Sequence, residues 1–250
     1  MKNGLRNRLR LWWMPGSDIF TRRRVRLARY WQRGPREVLD AGFGNGWFSY
    51  LAYRSGARVM AVALPEELVR KARGFYNDYL GVPSTRLEFR RMNLYDLGEL
   101  DRRFDEIICY ETLEHIRDDA RVCANFRAVL KPNGVLHLCC PNADHPRWCS
   151  EPLDTAEQGG HVRYGYTPES YRTLLEPLGF EIEAVQGVGG AALVLLQEHV
   201  QSPVRRVLGE LGAAAACSIA LPFIRFDSEN PRVPFSYYVR ARKSAESDTK

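Results

Sequence analysis

Residues 37–47 read Glu37-Val38-Leu39-Asp40-Ala41-Gly42-Phe43-Gly44-Asn45-Gly46-Trp47, and their reading decides the fold. The short apolar run into Asp40 and Ala41 has the pattern of a strand buried on both faces. Three glycines follow at every second position. Glycine takes a backbone through positive φ without a steric cost and leaves bare main chain for a ligand to lie against. A helical segment, 47–54, starts directly afterwards. Strand, glycine turn and helix make the first βα unit of an open α/β sheet, in which ligands sit beyond the carboxyl ends of the strands where strand order reverses. The spacing is G-x-G-x-G, whereas a pyrophosphate cradle is G-x-G-x-x-G. A nicotinamide-linked oxidoreductase therefore fits the sheet but not the turn.

The alternation extends in both directions. Asp18, with Ser17, is placed to cap a helix over 19–32, which has apolar residues at helical spacing. Strands are expected at 58–63, 86–92, 105–110, 134–140 and 180–186, and helices at 65–79, 118–130 and 168–176. Thr167 serves as a cap for the last of these, and Gly179 follows its end. Such alternation argues for a parallel sheet with right-handed crossovers and helices on both faces. Residues 235–241 read as a final strand, and the tail after Lys243 is polar.

Composition fits this reading. The 250 residues are 45% apolar and 26% charged, so a sizeable core is affordable and wholesale disorder is excluded. Six cysteines without a CxxC pair make neither a disulfide scaffold nor a zinc ribbon, and a reduced, cytosolic setting is expected. The apolar run Leu11-Trp12-Trp13-Met14 stops at Pro15-Gly16, too short for a secretory signal. The most apolar later stretch, 211–226, is broken by Pro222. A soluble, cytoplasmic protein is expected, with peripheral membrane contact as an option. Charge is uneven. Residues 1–36 hold eleven Lys or Arg against Asp18 alone, about +10, while the other 214 hold 25 basic and 29 acidic side chains, about −4. Trp12 and Trp13 among these arginines suit an anionic membrane surface or a solvated basic face. No recognised DNA- or RNA-binding motif accompanies the arm, so nucleic acid is not an expected partner.

Three stretches, in order, sharpen the picture: 38–46 (VLDAGFGNG), 104–115 (FDEIICYETLEH) and 129–136 (VLKPNGVL). Together they resemble the first, fourth-strand and fifth-strand motifs of the class I S-adenosylmethionine-dependent methyltransferases. The resemblance covers about residues 36–187 and the last strand. It looks closest to the branch holding ubiquinone-biosynthesis O-methyltransferases and saccharide, lipid and natural-product methyltransferases. It implies a Rossmann-like, doubly wound α/β sheet of seven strands, mostly parallel, with an antiparallel last strand. It divides the chain into a basic arm and helix (1–35), a cofactor-binding core (36–187), an insertion (188–233) and a last strand with tail (234–250). S-adenosyl-L-methionine is the implied cofactor. Asp40, Gly42, Phe43, Gly44 and Gly46 would cradle its methionine and ribose parts, Asn93 and Leu94 would flank adenine, and Cys109 and Tyr110 would border the methionine end. Ala63 and Leu64 end the second strand, where the family usually has an acidic residue binding the ribose hydroxyls. Alanine makes no such hydrogen bond, so Glu66, Glu67 or water must substitute, or affinity falls tenfold or more.

Glu111, Glu114 and His115 lie at i, i+3 and i+4. If the chain is helical from Tyr110 onward, they share one face. With His161 from a downstream loop they make a candidate site for a divalent metal such as Mg²⁺, as in some members of the resembled branch. A metal there would orient an acceptor oxygen and lower its pKa. His115 or His161 acting without metal as a general base serves the same end. Trp148, Tyr164 and Tyr166 fall where acceptor pockets form in this fold, and either stacking on an acceptor ring or ordinary loop packing suits them. The 188–233 insertion suits an acceptor lid, a homodimer surface, membrane-facing helices or extra core. The expected activity is methyl transfer to oxygen of a small-molecule, saccharide or lipid-linked acceptor. The alternative, motivated by Ala63, is an inactive relative serving as a binding or assembly module.

Overall fold

The computed structural model describes residues 18–146 and 152–244, apart from the side chains of residues 210 and 211. The basic arm through Ser17, Trp148 and the tail beyond Ser244 lie outside the described residues. The elements in chain order are α1 (Ile19–Arg24, continued by a 3₁₀ segment to Tyr30), β1 (Glu37–Ala41), α2 (Trp47–Arg54), β2 (Arg58–Ala63) and α3 (Glu66–Ala72, continued by a π-helical Arg73–Tyr79). Then come β3 (Leu87–Arg91), β4 (Phe104–Tyr110), α4 (Asp119–Val129), β5 (Leu130–Pro141), α5 (Pro168–Leu175) and β6 (Phe180–Val188). The chain closes with α6 (Ala191–Leu196), α7 (Ser202–Phe226) and β7 (Ser236–Lys243).

The seven strands form one sheet in the order β3-β2-β1-β4-β5-β7-β6. β1 pairs parallel with both β2 and β4, and β5 pairs antiparallel with β7. From β1 the chain winds one way to β2 and β3, then crosses to β4 and β5 on the other side. The reversal therefore falls between β1 and β4, and the loops leaving those two strands flank the crevice where this architecture binds ligands. Both strands are nearly all buried, which matches their apolar runs. One core, including Leu39, Ile107, Cys109, Phe126, Leu138 and Val239, packs helices on the sheet. Cys139 and Cys140, adjacent on β5, are both fully buried. A buried ionic network also braces the sheet. The Glu106 carboxylate on β4 takes hydrogen bonds from Arg36 and from Gln32 N (2.7 Å), and lies 3.1 Å from His137 Nε2.

Contacts divide the chain into two compact units, one of residues 31–186 with the last strand, the other of α1 with residues 187–235. In the second unit, residues far apart in sequence are tied together. Buried Arg23 pairs with Asp227 at 2.6 Å. Phe20 stacks on Phe235, with ring centroids 3.9 Å apart. Gln201 accepts from Ile19 N (3.1 Å) and donates to Ala213 O (3.0 Å). Asp18 caps α1 by accepting from Thr21 N at 2.8 Å. α7 is kinked at Gly209, which takes φ 63° and ψ −156°.

Candidate active site

The three glycines after β1 have three different neighbourhoods. All have positive φ, at +81° for Gly42, +53° for Gly44 and +75° for Gly46. A Cβ on Gly42 would lie 2.2 Å from Thr112 Oγ1 and 2.9 Å from Thr112 Cβ. A Cβ on Gly46, at the start of α2, would lie 2.7 Å from the Tyr76 ring and 3.1 Å from that of Phe89. A Cβ on Gly44 would meet nothing within 4 Å. Internal packing thus accounts for Gly42 and Gly46, whereas Gly44 presents bare main chain to open space, as a cofactor cradle requires. The loop is held from inside. Gly42 N donates to Val62 O (2.9 Å), the Tyr76 hydroxyl donates to Asn45 O (3.0 Å), and Trp47 N donates to Asn45 Oδ1 (3.0 Å). Phe43 is buried edge-on to Phe89, so only its main chain is left for a ligand.

Asp40, at the end of β1, is 3% exposed and accepts a 2.5 Å hydrogen bond from the Ser49 hydroxyl on α2. Burial pushes its pKa up to about 7, with the Ser49 bond opposing the rise. A carboxyl poised between its two forms at neutral pH favours a cation arriving beside it, because ionisation then meets a partner instead of an apolar wall.

At the ends of β2 and β3, Leu64, Met92, Asn93 and Asp96 help to line a cleft of about 530 Å³. Ala63 is buried, while Leu64 is exposed. Glu66 and Glu67 are both exposed in the first turn of α3, and Glu67 pairs with Lys71 at 2.7 Å. Asn93 Oδ1 accepts from Tyr95 N at 3.1 Å, capping the 3₁₀ turn that follows β3, and the oxygen has a second lone pair. Leu94 is buried in the core cluster.

On β4 the Cys109 side chain packs into the core, and burial raises its thiol pKa, so it stays protonated. Tyr110 is also buried. Its hydroxyl accepts from Trp31 Nε1 (3.2 Å), its ring meets Phe48 edge-on at 5.0 Å, and burial keeps the phenol neutral. Helices cover both faces of the sheet here, so these two neighbours, which point to opposite faces, are both buried.

The chain is not helical from Tyr110 onward. Glu111 takes φ +50°, and a single 3₁₀ turn, Leu113–His115, follows. Glu111 is therefore turned away from the face expected of it, and its carboxylate accepts from Ser236 Oγ at 3.3 Å. Glu114, His115 and His161 do converge. One ligand atom from each lies within 4.8 Å of the others, and Glu111 is not in this group. The imidazoles of His115 and His161 meet edge-on at 4.8 Å. His115 Nδ1 is 2.9 Å from Gly160 O. A carbonyl only accepts, so Nδ1 carries the proton and Nε2 keeps its lone pair in the neutral ring. Nε2 lies 4.0 Å from the buried carboxylate of Glu114.

The loop bearing His161 is built, not draped. The Asp154 carboxylate accepts from the amides of Ala156, Gln158 and Gly160, at 2.8, 2.6 and 3.0 Å. Val162 N donates to Glu114 O (2.8 Å), and Arg163 pairs with Asp119 at 2.7 Å. Of the two alternatives for Tyr166, its side chain takes packing, in the core. Its ring stacks on Tyr171 at 4.8 Å, and its hydroxyl donates to Asp119 at 2.6 Å. Ser49, Thr112 and the Gly160 carbonyl were not singled out by sequence. Only Gly160 had a local signal, its place in the Gly-Gly-His run.

A family model described as a methyltransferase domain matches residues 17–185. The chain is similar to the ubiquinone biosynthesis O-methyltransferase of Histophilus somni (strain 2336), with 31% identity over 55% of this chain and 61% of that one. It is also similar to the protein of the same name from Xanthomonas campestris pv. campestris (strain B100), with 34% identity over 52% of this chain and 56% of that one. These matches span less than two thirds of either relative. Among solved structures, phosphoethanolamine N-methyltransferase 2 of Haemonchus contortus, in complex with S-adenosyl-L-methionine, shares the fold at a TM-score of 0.57 and 16% identity, over 90% of this chain and 53% of that one.

Proposed function

The chain belongs to the methyltransferase-domain family, and from that membership we propose that it transfers a methyl group from S-adenosyl-L-methionine to a hydroxyl oxygen of a small-molecule, saccharide or lipid-linked acceptor. S-adenosylmethionine supplies an electrophilic methyl on a sulfonium, so the protein has mainly to align and to move a proton. Gly44 offers bare main chain to the cofactor, and Asp40 offers a carboxyl that ionises as positive charge arrives. Oxygen is favoured by the names of the curated relatives and by one observation in the site: the Gly160 carbonyl fixes the His115 tautomer with Nε2 as acceptor. A hydroxyl must lose its proton as the new C–O bond forms, and Nε2 takes it. The Glu114 carboxylate, 4.0 Å away, then faces the imidazolium.

A second reading has its own support in the convergence of Glu114, His115 and His161. The same Nε2 lone pair would hold a divalent metal. Two imidazole nitrogens and one carboxylate oxygen suit Zn²⁺, Fe²⁺ or a similar ion better than Mg²⁺, which prefers oxygen donors. One experiment separates the two readings. Label transfer from methyl-labelled cofactor is followed over a panel of hydroxyl acceptors with His115→Asn and His161→Ala. A free base predicts that His115→Asn lowers kcat by about a hundredfold or more, while His161→Ala costs little. Equal losses, with His161→Ala rescued by added Zn²⁺ or Mn²⁺, favour the metal. Labelling of amines but no hydroxyl contradicts both.

Ala63 carries a further expectation. Placing a carboxylate at the end of β2 restores an acceptor for two ribose hydroxyls, so Ala63→Asp should tighten S-adenosylhomocysteine binding about tenfold. Calorimetric titration reads the change. Unaltered or weaker binding means that the ribose does not lie at this strand end.

A further inference from the structure

The outward face of α7 is apolar where a surface helix ordinarily carries charge. After the kink, its exposed residues Ala215, Ile219, Pro222, Phe223 and Phe226 recur at helical spacing, and Ile219, Phe223 and Phe226 are 71%, 53% and 82% exposed. Before the kink, Val207 and Leu208 are exposed as well. Arginines flank each patch. Arg205 and Arg206 immediately precede Val207, while Arg225 adjoins Phe226. Arg26 joins the second patch by donating to Arg225 O and to Asp227 O, the latter at 3.3 Å. The charge of the chain is concentrated in the same unit. Its described residues, 18–30 and 187–235, hold nine Lys or Arg and five Asp or Glu, about +4.

We propose that the Ile219–Phe223–Phe226 face of α7 is a docking surface for an anionic lipid bilayer, into which it inserts its apolar stripe while the flanking arginines meet lipid phosphates. Apolar side chains ringed by arginine are the composition of helices that lie in the headgroup plane. No helix among the described residues is long and apolar enough to cross a membrane, so the contact is interfacial. A second copy of the chain fits less well. A two-fold interface centred on this stripe places Arg225 and Arg26 near their own copies, which like charge opposes.

The full chain is tested by cosedimentation with vesicles of phosphatidylglycerol and phosphatidylcholine, and with phosphatidylcholine alone. The wild type should bind the anionic vesicles and release them at high salt. The Ile219→Gln, Phe223→Gln, Phe226→Gln triple variant should bind at least tenfold more weakly, with an unchanged Tm because these residues are exposed. Arg225→Glu, which leaves the stripe intact, should also weaken binding. The proposal is overturned if the wild type ignores anionic vesicles, binds neutral ones equally or is matched by the triple variant. It is also overturned if sedimentation equilibrium without lipid shows a dimer that the triple variant dissolves.

Discussion

Gly44→Val is expected to abolish measurable S-adenosylhomocysteine binding and leave the fold standing, while Gly42→Ala does the reverse. At Gly44 the new side chain meets no protein atom within 4 Å. Its cost to the free protein is that of an L-residue at φ +53°, about 1–2 kcal/mol, or a few degrees in Tm. The isopropyl group, however, fills the open space beside Gly44 in which the proposed cradle would hold the cofactor. At Gly42 the same φ strain is joined by contacts of 2.2 to 2.9 Å with three atoms of Thr112. Thr112 Cβ is among them, so no side-chain rotation relieves the clash. The loss should be about 3 kcal/mol or more, with a Tm drop to match. Thermal unfolding and calorimetric titration, run on both variants, read the two effects separately. If Gly44→Val binds like the wild type, the cofactor does not lie on this loop.

Asp40→Asn should stabilise the free protein at alkaline pH and weaken cofactor binding at the same time. The Asp40 pKa is raised in the fold, from 3.8 to about 7. A raised acid holds its proton-linked stability below the unfolded value and loses it as pH climbs through the folded one. Above about pH 7 the wild type therefore carries a buried, ionised carboxylate, a cost on the order of 4 kcal/mol. Asparagine removes that cost and retains a hydrogen-bond acceptor for Ser49. The Tm advantage of the variant should be largest near pH 8 and shrink toward pH 5. Binding moves the other way, because the variant has no negative charge to offer the sulfonium and ammonium groups. Wild-type affinity should rise between pH 6 and 8, and the variant should lose that slope. A variant that matches the wild type in Tm at pH 8 means that Asp40 is not buried as an isolated carboxyl.

The βα alternation and the motif order lay open in the sequence because both depend on local periodicity. The strand at 37–41 and its glycine turn needed nothing beyond their own eleven residues. The separate duties of the three glycines were hidden, since Thr112 lies 70 positions from Gly42 and Tyr76 lies 30 from Gly46. Glu111 shows a different limit. Its spacing from Glu114 and His115 implies a shared face only in a helix, and one residue at φ +50° cancels that inference. Position in a loop left Tyr166 open to pocket lining or packing, and its bond to Asp119 and its stacking on Tyr171, both set by the folded chain, draw it into the core. The pairing of α1 with residues 187–235 could not be read locally, since partners such as Arg23 and Asp227 are 204 positions apart.

Titration of S-adenosylhomocysteine into the wild-type chain and the Gly44→Val variant, side by side in one calorimeter, tests the cradle most directly. Saturable heat at one ligand per chain in the first, and none in the second, is the predicted outcome. A flat wild-type trace at millimolar ligand, or two identical isotherms, would contradict it.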